Sequence, residues 1–303
     1  MSHTVIAGLD GSPASLAAAE WAAREARLRR LPLKLLHAVE EWVPSYGYAS
    51  RTGAAPSSQY WGERIPRETS RQLAERHPGL AITTEQVDGR PLTVLAAAAQ
   101  EAEVLVLGSR GLGAMTGFLV GSVSQSVLAH AERPVVVVRS GTWMDTPYQE
   151  APDGNGAQEG TYRPVVLGLD LSRPCDELLD HAFDAAAVRR APLRVVHGWS
   201  MPPTFSFDPV LLAPEVREGM AAGTATALGD ALRPWRGKYP QVRVEEECSV
   251  GQAAGQLLEA AVDASLVVVG RRIRRSAIGT HLGPVAHAVL HHSTAPVAVV
   301  PHP

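Results

Sequence analysis

Four stretches of the chain recur once, in the same order and at an offset of about 160 residues. VIAGLD at Val5–Asp10 returns as VVLGLD at Val165–Asp170, and LPLKLLHAV from Leu31 returns as APLRVVHGW from Ala191. VLVLG ending at Gly108 returns as LVVVG ending at Gly270, and RPVVVV from Arg133 returns as APVAVV from Ala295. A repeat of that length is one whole folding unit, so the chain is constrained to fold as two copies of a single topology. Between the copies, Ser140 to Gly160 collects Gly, Pro, Asp, Asn and Gln without apolar periodicity, the composition of a linker. The expected organisation is therefore a first domain over 1–141, a linker over 142–160 and a second domain over 161–303.

Within each copy, short β-branched runs alternate with longer Ala- and Leu-rich segments, the pattern of βαβ units around a parallel sheet. Strands are expected near 4–9, 33–39, 81–87, 103–108 and 134–138, and helices near 13–30, 60–77, 91–101 and 121–131, with the order repeated from 164 to 300. Only 5% of the 303 residues are aromatic against 45% apolar overall, so each core must be built from Ala, Val and Leu, which suits a parallel sheet covered by helices. Ser12 followed by Pro13 is a helix start, because the hydroxyl caps free amides and proline suits the first turn. Sheets of this kind bind ligands outside the carboxyl ends of their strands, which directs attention to Asp10, Val39 and Gly108.

Several function classes are disfavoured. A net charge of −3 offers no global attraction for nucleic acid or an acidic membrane face. Cys175 and Cys248 form no CxxC motif, which indicates neither a disulfide framework nor a thiolate metal site and fits a reducing cytoplasm. Met1, Ser2, His3 and Thr4 do not lead from a basic segment into an apolar stretch, and no apolar run approaches the ~20 residues of a membrane helix. A cytoplasmic protein without a membrane or nucleic-acid partner is expected.

After the fourth strand the chain reads Gly108-Ser-Arg-Gly111, continues through nine residues, and reaches Gly121-Ser122 at the start of the last helix: G-x2-G-x9-G-S. Glycines there allow positive φ and close backbone approach, free amides at a helix N-terminus face an anion, and Ser122 and Ser124 add hydroxyls, which together suit a phosphate. This motif, with Asp10 at the end of the first strand, resembles the ATP-binding subgroup of the universal stress protein family, and the resemblance covers nearly the whole chain. It implies two tandem adenine-nucleotide-binding α/β domains, each a five-stranded parallel sheet with helices on both faces. It further implies Asp10 and Val39 around adenine and ribose, and Gly108, Arg110, Gly111, Gly121, Ser122, Val123 and Ser124 along ribose and phosphates, with Mg²⁺ accompanying ATP. Asp10 also has a structural reading, satisfying amides ahead of the first helix, and Arg110 one as a solvated loop charge.

The second copy departs from the motif. It reads Gly270-Arg-Arg-Ile273, then nine residues, then Gly283-Pro284. Ile273 disfavours the positive φ open to Gly111, and Pro284 removes a hydroxyl and an amide from the helix start. Asp170, Gly270 and Gly283 keep their places, and Arg271, Arg272, Arg274 and Arg275 supply charge or form a solvated basic loop, so a weaker, altered or empty second site is expected.

Other clusters are read more plainly. His287 and His291, spaced i, i+4 with His281 and His292 nearby, lack a matching carboxylate and are expected to be surface or interface residues rather than a metal site. Trp42, Tyr46, Tyr48, Tyr60 and Trp61 form either a lid over the base or packing for the second helix. Arg24, Arg27, Arg29 and Arg30 run toward the carboxyl end of the first helix, where cations complement its dipole, and are expected to be a solvated face.

The resemblance implies a nucleotide-responsive regulatory or stress-protection protein, a homo-oligomer (a dimer of two-domain chains) recognised by a regulatory protein partner. Two alternatives stand beside it: an interaction module that binds no nucleotide, and a slow ATPase. No Walker GxxxxGK[ST], HxGH or SGGxDS motif is present, so an ordinary enzyme on a related nucleotide fold is not expected.

Overall fold

The computed structural model describes residues 4–40, 58–109, 120–141, 162–199, 214–273 and 282–303. The expected linker, Arg110, Gly111, Arg274, Arg275, His281, Trp42, Tyr46 and Tyr48 fall outside them, as do the side chains of Tyr60 and Trp61. The chain divides into two compact units, Met1–Gly141 and Thr142–Pro303.

The first unit runs β1 (Val5–Leu9), α1 (Pro13–Arg29), β2 (Leu33–Val39), α2 (Ser58–Arg76), β3 (Ile82–Asp88), α3 (Pro91–Glu101), β4 (Val104–Gly108), α4 (Ser122–His130) and β5 (Val135–Val138). Its strands pair in parallel in the order β3-β2-β1-β4-β5. The second unit repeats this with β6 (Val165–Gly168), α5 (Asp176–Arg189), β7 (Leu193–Trp199), α6 (Pro214–Lys238), β8 (Val244–Val250), α7 (Ala253–Ala261), β9 (Leu266–Arg272), α8 (Pro284–His292) and β10 (Val297–His302). Its order is β8-β7-β6-β9-β10, again all parallel. The α/β class expected from the sequence is the one observed, and in the first unit each expected element lies within two residues of its observed bounds.

The central strands are apolar on both faces, as a sheet buried between helices requires: every residue of β1 and β5 is buried. Helix α1 packs with α2, and α3 with α4. Small residues set the spacing. Ala14, Ala17, Ala18, Ala22, Ala23 and Ala26 bring α1 against the sheet, whereas α5 buries Leu178, Leu179 and Phe183, the last stacked on Trp235 and Tyr239 of α6 and the turn after it. One edge of each sheet is polar: β3 presents Glu85, paired with Lys34, and β8 presents Glu245 and Glu247 to Arg194, which discourages pairing with another chain there.

Helix α1 starts as expected, with Pro13 in its first turn and Ser12 Oγ accepting from Ser15 N–H at 3.2 Å. Its arginines are not simply a solvated face. Arg24 and Arg29 pair with Glu20 and Glu25, whose carboxylates are buried, because the helix lies so close to the sheet that its acidic neighbours need internal partners. Helix α5 begins three residues later than the offset dictates: Cys175 is its N-cap, and the Asp170–Ser172 stretch forms a turn ahead of it. Among the described residues no helix is long and apolar enough to cross a membrane.

Candidate functional site

In each unit the strand order reverses once, between β1 and β4 and between β6 and β9, and such a reversal opens a crevice at the carboxyl ends of the two strands. In the first unit that crevice is bordered by Asp10, Gly108, and the first turns of α1 and α4.

A chain of short hydrogen bonds fixes the border. Ser12 N–H donates to Asp10 Oδ1 at 2.9 Å, Ser15 Oγ donates to Ser12 O at 2.9 Å, and Asp10 N–H reaches Ser15 Oγ at 3.3 Å. One oxygen of Asp10 therefore does satisfy a local amide, and that bond also holds the carboxylate at the strand end. Gly11, at φ +81, makes the tight turn between them. Gly108 sits directly against α1: a Cβ there would lie 2.7 Å from Ala14 C and 2.8 Å from Ser15 N. Its role is close strand–helix packing. Gly121 is the N-cap of α4 in extended backbone at φ −65, and its N–H donates to Ser109 O at 2.7 Å. Positive φ was expected of the motif's glycines, and neither Gly108 nor Gly121 adopts it, because one is a strand end and the other a helix cap.

Ser124 Oγ donates to Gly108 O at 2.9 Å and is buried, so this hydroxyl ties α4 to β4. Ser122 and Val123 are exposed at the helix start. No side chain caps α4, its first turn carries no acid, and its first intrahelical bond runs from Gln125 N to Gly121 O. The amides of Ser122, Val123 and Ser124 are thus the orphan donors of an uncapped helix end, carrying the positive end of its dipole. Val39, at the end of β2, accepts from Gly89 N–H at 2.9 Å, and its carbonyl keeps a second lone pair.

One residue that matters here was present in the repeated LHAV and VHGW stretches without being singled out. His37 Nδ1 lies 2.7 Å from Leu9 O, and its counterpart His197 Nδ1 lies 2.8 Å from Leu169 O. A carbonyl only accepts, so Nδ1 carries the proton in both rings, and each imidazole braces the peptide that precedes Asp10 or Asp170. The signal was available: a polar residue at the same place in both copies of an otherwise apolar strand.

In the second unit the equivalent crevice is a cavity of about 570 Å³. Asp170, Gly270 and Gly283 all line it, together with His197, Arg173 and Arg272. Asp170 Oδ1 accepts from Ser172 N–H at 2.9 Å and Ser172 Oγ at 2.7 Å. Gly283 caps α8 in extended backbone, followed by Pro284. Arg271 is buried in β9, while Arg272 reaches the cavity. At the N-cap of α5, burial and then a hydrogen bond to Glu177 push the Cys175 thiol up to about 11, so it is no nucleophile at neutral pH. Glu177 is held below the usual carboxylate range by that bond. Among the described residues no group of three metal-ligating side chains occurs, and His287 and His291 stack at 4.2 Å between centroids, with His291 buried.

The comparisons agree with this architecture. The model of the universal stress protein family matches residues 1–139 and 161–301. A universal stress protein of Mycobacterium tuberculosis is 32% identical over 313 residues, covering 97% of this chain and 94% of that protein. Another, of Mycolicibacterium smegmatis, is 33% identical over 307 residues, covering 98% and 97%. The crystal structure of a universal stress protein from Archaeoglobus fulgidus superposes with a TM-score of 0.67 at 17% identity, over 99% of both chains, a likeness of fold.

Proposed function

The chain belongs to the universal stress protein family, and from that premise we propose that its first unit binds ATP in the β1/β4 crevice and that occupancy regulates the protein. The observation that carries this reading is the uncapped start of α4, whose amides at Ser122, Val123 and Ser124 open toward the place where Gly108 ends β4. Asp10, braced by Ser12 and by His37 through Leu9 O, suits a ribose diol. Val39 offers a backbone acceptor to the base, and Arg110 and Gly111 complete the motif in sequence. Mg²⁺ would arrive with the triphosphate, since its oxygens supply the hard ligands that the described residues of this unit do not cluster.

The same geometry favours a switch over a catalyst. The Ser124 hydroxyl is buried and donates to Gly108 O, so it is not poised as a nucleophile, and we assign the Asp10 carboxylate to the ribose. We read the protein as a cytoplasmic regulatory or stress-protection protein that pairs as a dimer of two-domain chains and presents a nucleotide-dependent surface to a protein partner. Equilibrium dialysis of nucleotide-stripped protein with ATP and Mg²⁺ tests the reading: binding that is lost in Gly121→Val supports it. No ATP bound at millimolar concentration, or binding indifferent to Gly121→Val, refutes it in favour of an interaction module. Turnover above ~1 per second would make the protein an enzyme.

A further inference from the structure

One peptide group at the end of β1 is held at both of its polar atoms. Leu9 O accepts from His37 Nδ1–H at 2.7 Å, and Asp10 N–H, the other polar atom of the same planar unit, reaches Ser15 Oγ at 3.3 Å. His37 stands opposite Leu9 in the register of β1 and β2, so the strand pairing itself delivers the ring to that carbonyl. Beyond the peptide, Asp10 Oδ1 accepts from Ser12 N–H at 2.9 Å and Gly11 turns the chain at φ +81. The direction of the Asp10 carboxylate follows from the peptide plane before it and the turn after it.

The second copy changes most of these partners and keeps one. Cys175 stands where Ser15 stands, and its thiol donates to Glu177, while Leu171 replaces Gly11 and Ser172 Oγ adds a bond to Asp170 Oδ1 at 2.7 Å. The bond from His197 Nδ1–H to Leu169 O persists at 2.8 Å. His197 and Asp170 also line one cavity together. A hold on the peptide that survives while the groups around it change points to what the two strand ends share, the carboxylate that follows.

We infer, on the reading of the first crevice as an ATP site, that His37 is a positioning residue for it. Through Leu9 O the imidazole aims the Asp10 carboxylate at the ribose hydroxyls, and so sets how strongly the crevice prefers a nucleotide that carries them. His37 touches no ligand in this role. Its effect is confined to the part of the affinity that the ribose hydroxyls supply.

The side-chain chemistry allows a specific test. An asparagine Nδ2 falls where the imidazole has Nδ1 and a glutamine Nε2 where it has Nε2, so His37→Asn keeps the donor in place, His37→Gln moves it and His37→Leu removes it. Calorimetric titrations of the nucleotide-stripped full chain compare ATP with 2′,3′-dideoxy-ATP at the site that Gly121→Val abolishes. The native chain should prefer ATP by about tenfold or more. His37→Leu and His37→Gln should each weaken ATP by about tenfold and leave dideoxy-ATP within about twofold, and His37→Asn should restore most of the preference. Nitrogen NMR of the native ring should show the proton on Nδ1, with and without ATP. ATP affinity unmoved in His37→Leu, equal weakening of both nucleotides, no rescue by His37→Asn, or a proton on Nε2 alone overturns the inference. A native chain that binds no ATP refutes the reading of the crevice itself, whereas one that binds ATP no tighter than dideoxy-ATP refutes only the role given to Asp10 and His37.

Discussion

In the first unit β4 ends at Gly108, with the Ser109 N–H on Val138 O. In the second, β9 holds its ladder for two further residues against Pro301 and His302. The neighbouring strands differ in step: β5 ends at Val138, whereas β10 runs on to His302 beside β9. Both units nevertheless keep one strand order, one brace of histidine to carbonyl, and one acid at the end of the first strand. Core pattern fixes the topology, and the residues past the strand ends are free to take up other chemistry. Duplication has preserved the first and relaxed the second.

The helix pairs show the same contrast, and it gives the largest effect to measure. Glu20 of α1 is buried against His77 Nε2 at 2.9 Å and Arg24 at 3.2 Å, while Arg76 Nη1 lies 2.8 Å from its other oxygen. The same position in the second copy is Asp180, about half exposed, which accepts from Lys238 and from Tyr239 Oη at 2.8 Å. Removing one member of a buried ionic cluster strands the others, so Glu20→Ala should cost about 3 kcal/mol of local stability. Asp180→Ala should cost about 0.5 kcal/mol, because solvent screens its pairs. Hydrogen exchange of peptides from α1 and α5 in the full chain reads both, and equal losses would erase the distinction.

Glycine at the fourth strand's end separates the units next. An alanine Cβ at Gly108 meets the backbone of Ala14 and Ser15, which cannot move without lifting α1, so Gly108→Ala should destabilise by about 2 kcal/mol. At Gly270 the nearest atoms belong to the His302 imidazole, which can swing aside, and the cost should stay under about 1 kcal/mol. Thermal unfolding of the two variants decides between them. A larger loss at Gly270 would mean that His302 is fixed in place.

Much of this was legible in the chain itself, and for a physical reason. Strands such as VIAGL and VLVLG are buried on both faces, so their continuous apolar runs announce themselves, and a duplication states each one twice. The cap at Ser12 and Pro13 is local chemistry and equally readable. Partnership was not. That Ser124 faces the carbonyl of Gly108, or that Glu25 draws Arg29 inward, depends on how closely an alanine-rich helix approaches a sheet, which spacing along the sequence does not encode. The glycine conformations were misjudged because glycine permits positive φ without requiring it: at Gly108 the missing side chain matters for space alone. The longer β9 pairs along an equally extended β10, a nonlocal fact.

Smaller effects sharpen the contrast further. Burial raises the Asp180 carboxyl, but the bonds from Lys238 and Tyr239 outweigh it and hold it below its usual range. A carboxylate with a lowered folded-state pKa contributes stability above its unfolded value and loses it as pH falls through the folded one. The gap between the native chain and Asp180→Asn, measured by denaturant titration and localised to α5, should therefore be present at pH 7 and close below about pH 4, the unperturbed carboxylate range. A gap that widened in acid would put the sign of this linkage, and the role given to Lys238, in error.

One feature should not distinguish the units, and its symmetry is the finest test of the duplication. Helices α1 and α5 both end on an arginine in the left-handed region, Arg30 at φ 56 and Arg190 at φ 51, followed by a bond from Leu31 N to Ala26 O and from Ala191 N to Ala186 O. That closure favours glycine, since a Cβ in this region costs about 1 kcal/mol, partly offset by the greater freedom glycine loses on folding. Arg30→Gly and Arg190→Gly should each stabilise their unit by about 0.5 kcal/mol, equally within error, by exchange protection of the two helix ends. Equality would show that backbone closure was inherited intact while the crevices diverged. A gain in one unit only would mean that one of the arginine side chains makes a compensating interaction, and that the divergence reaches into the scaffold itself.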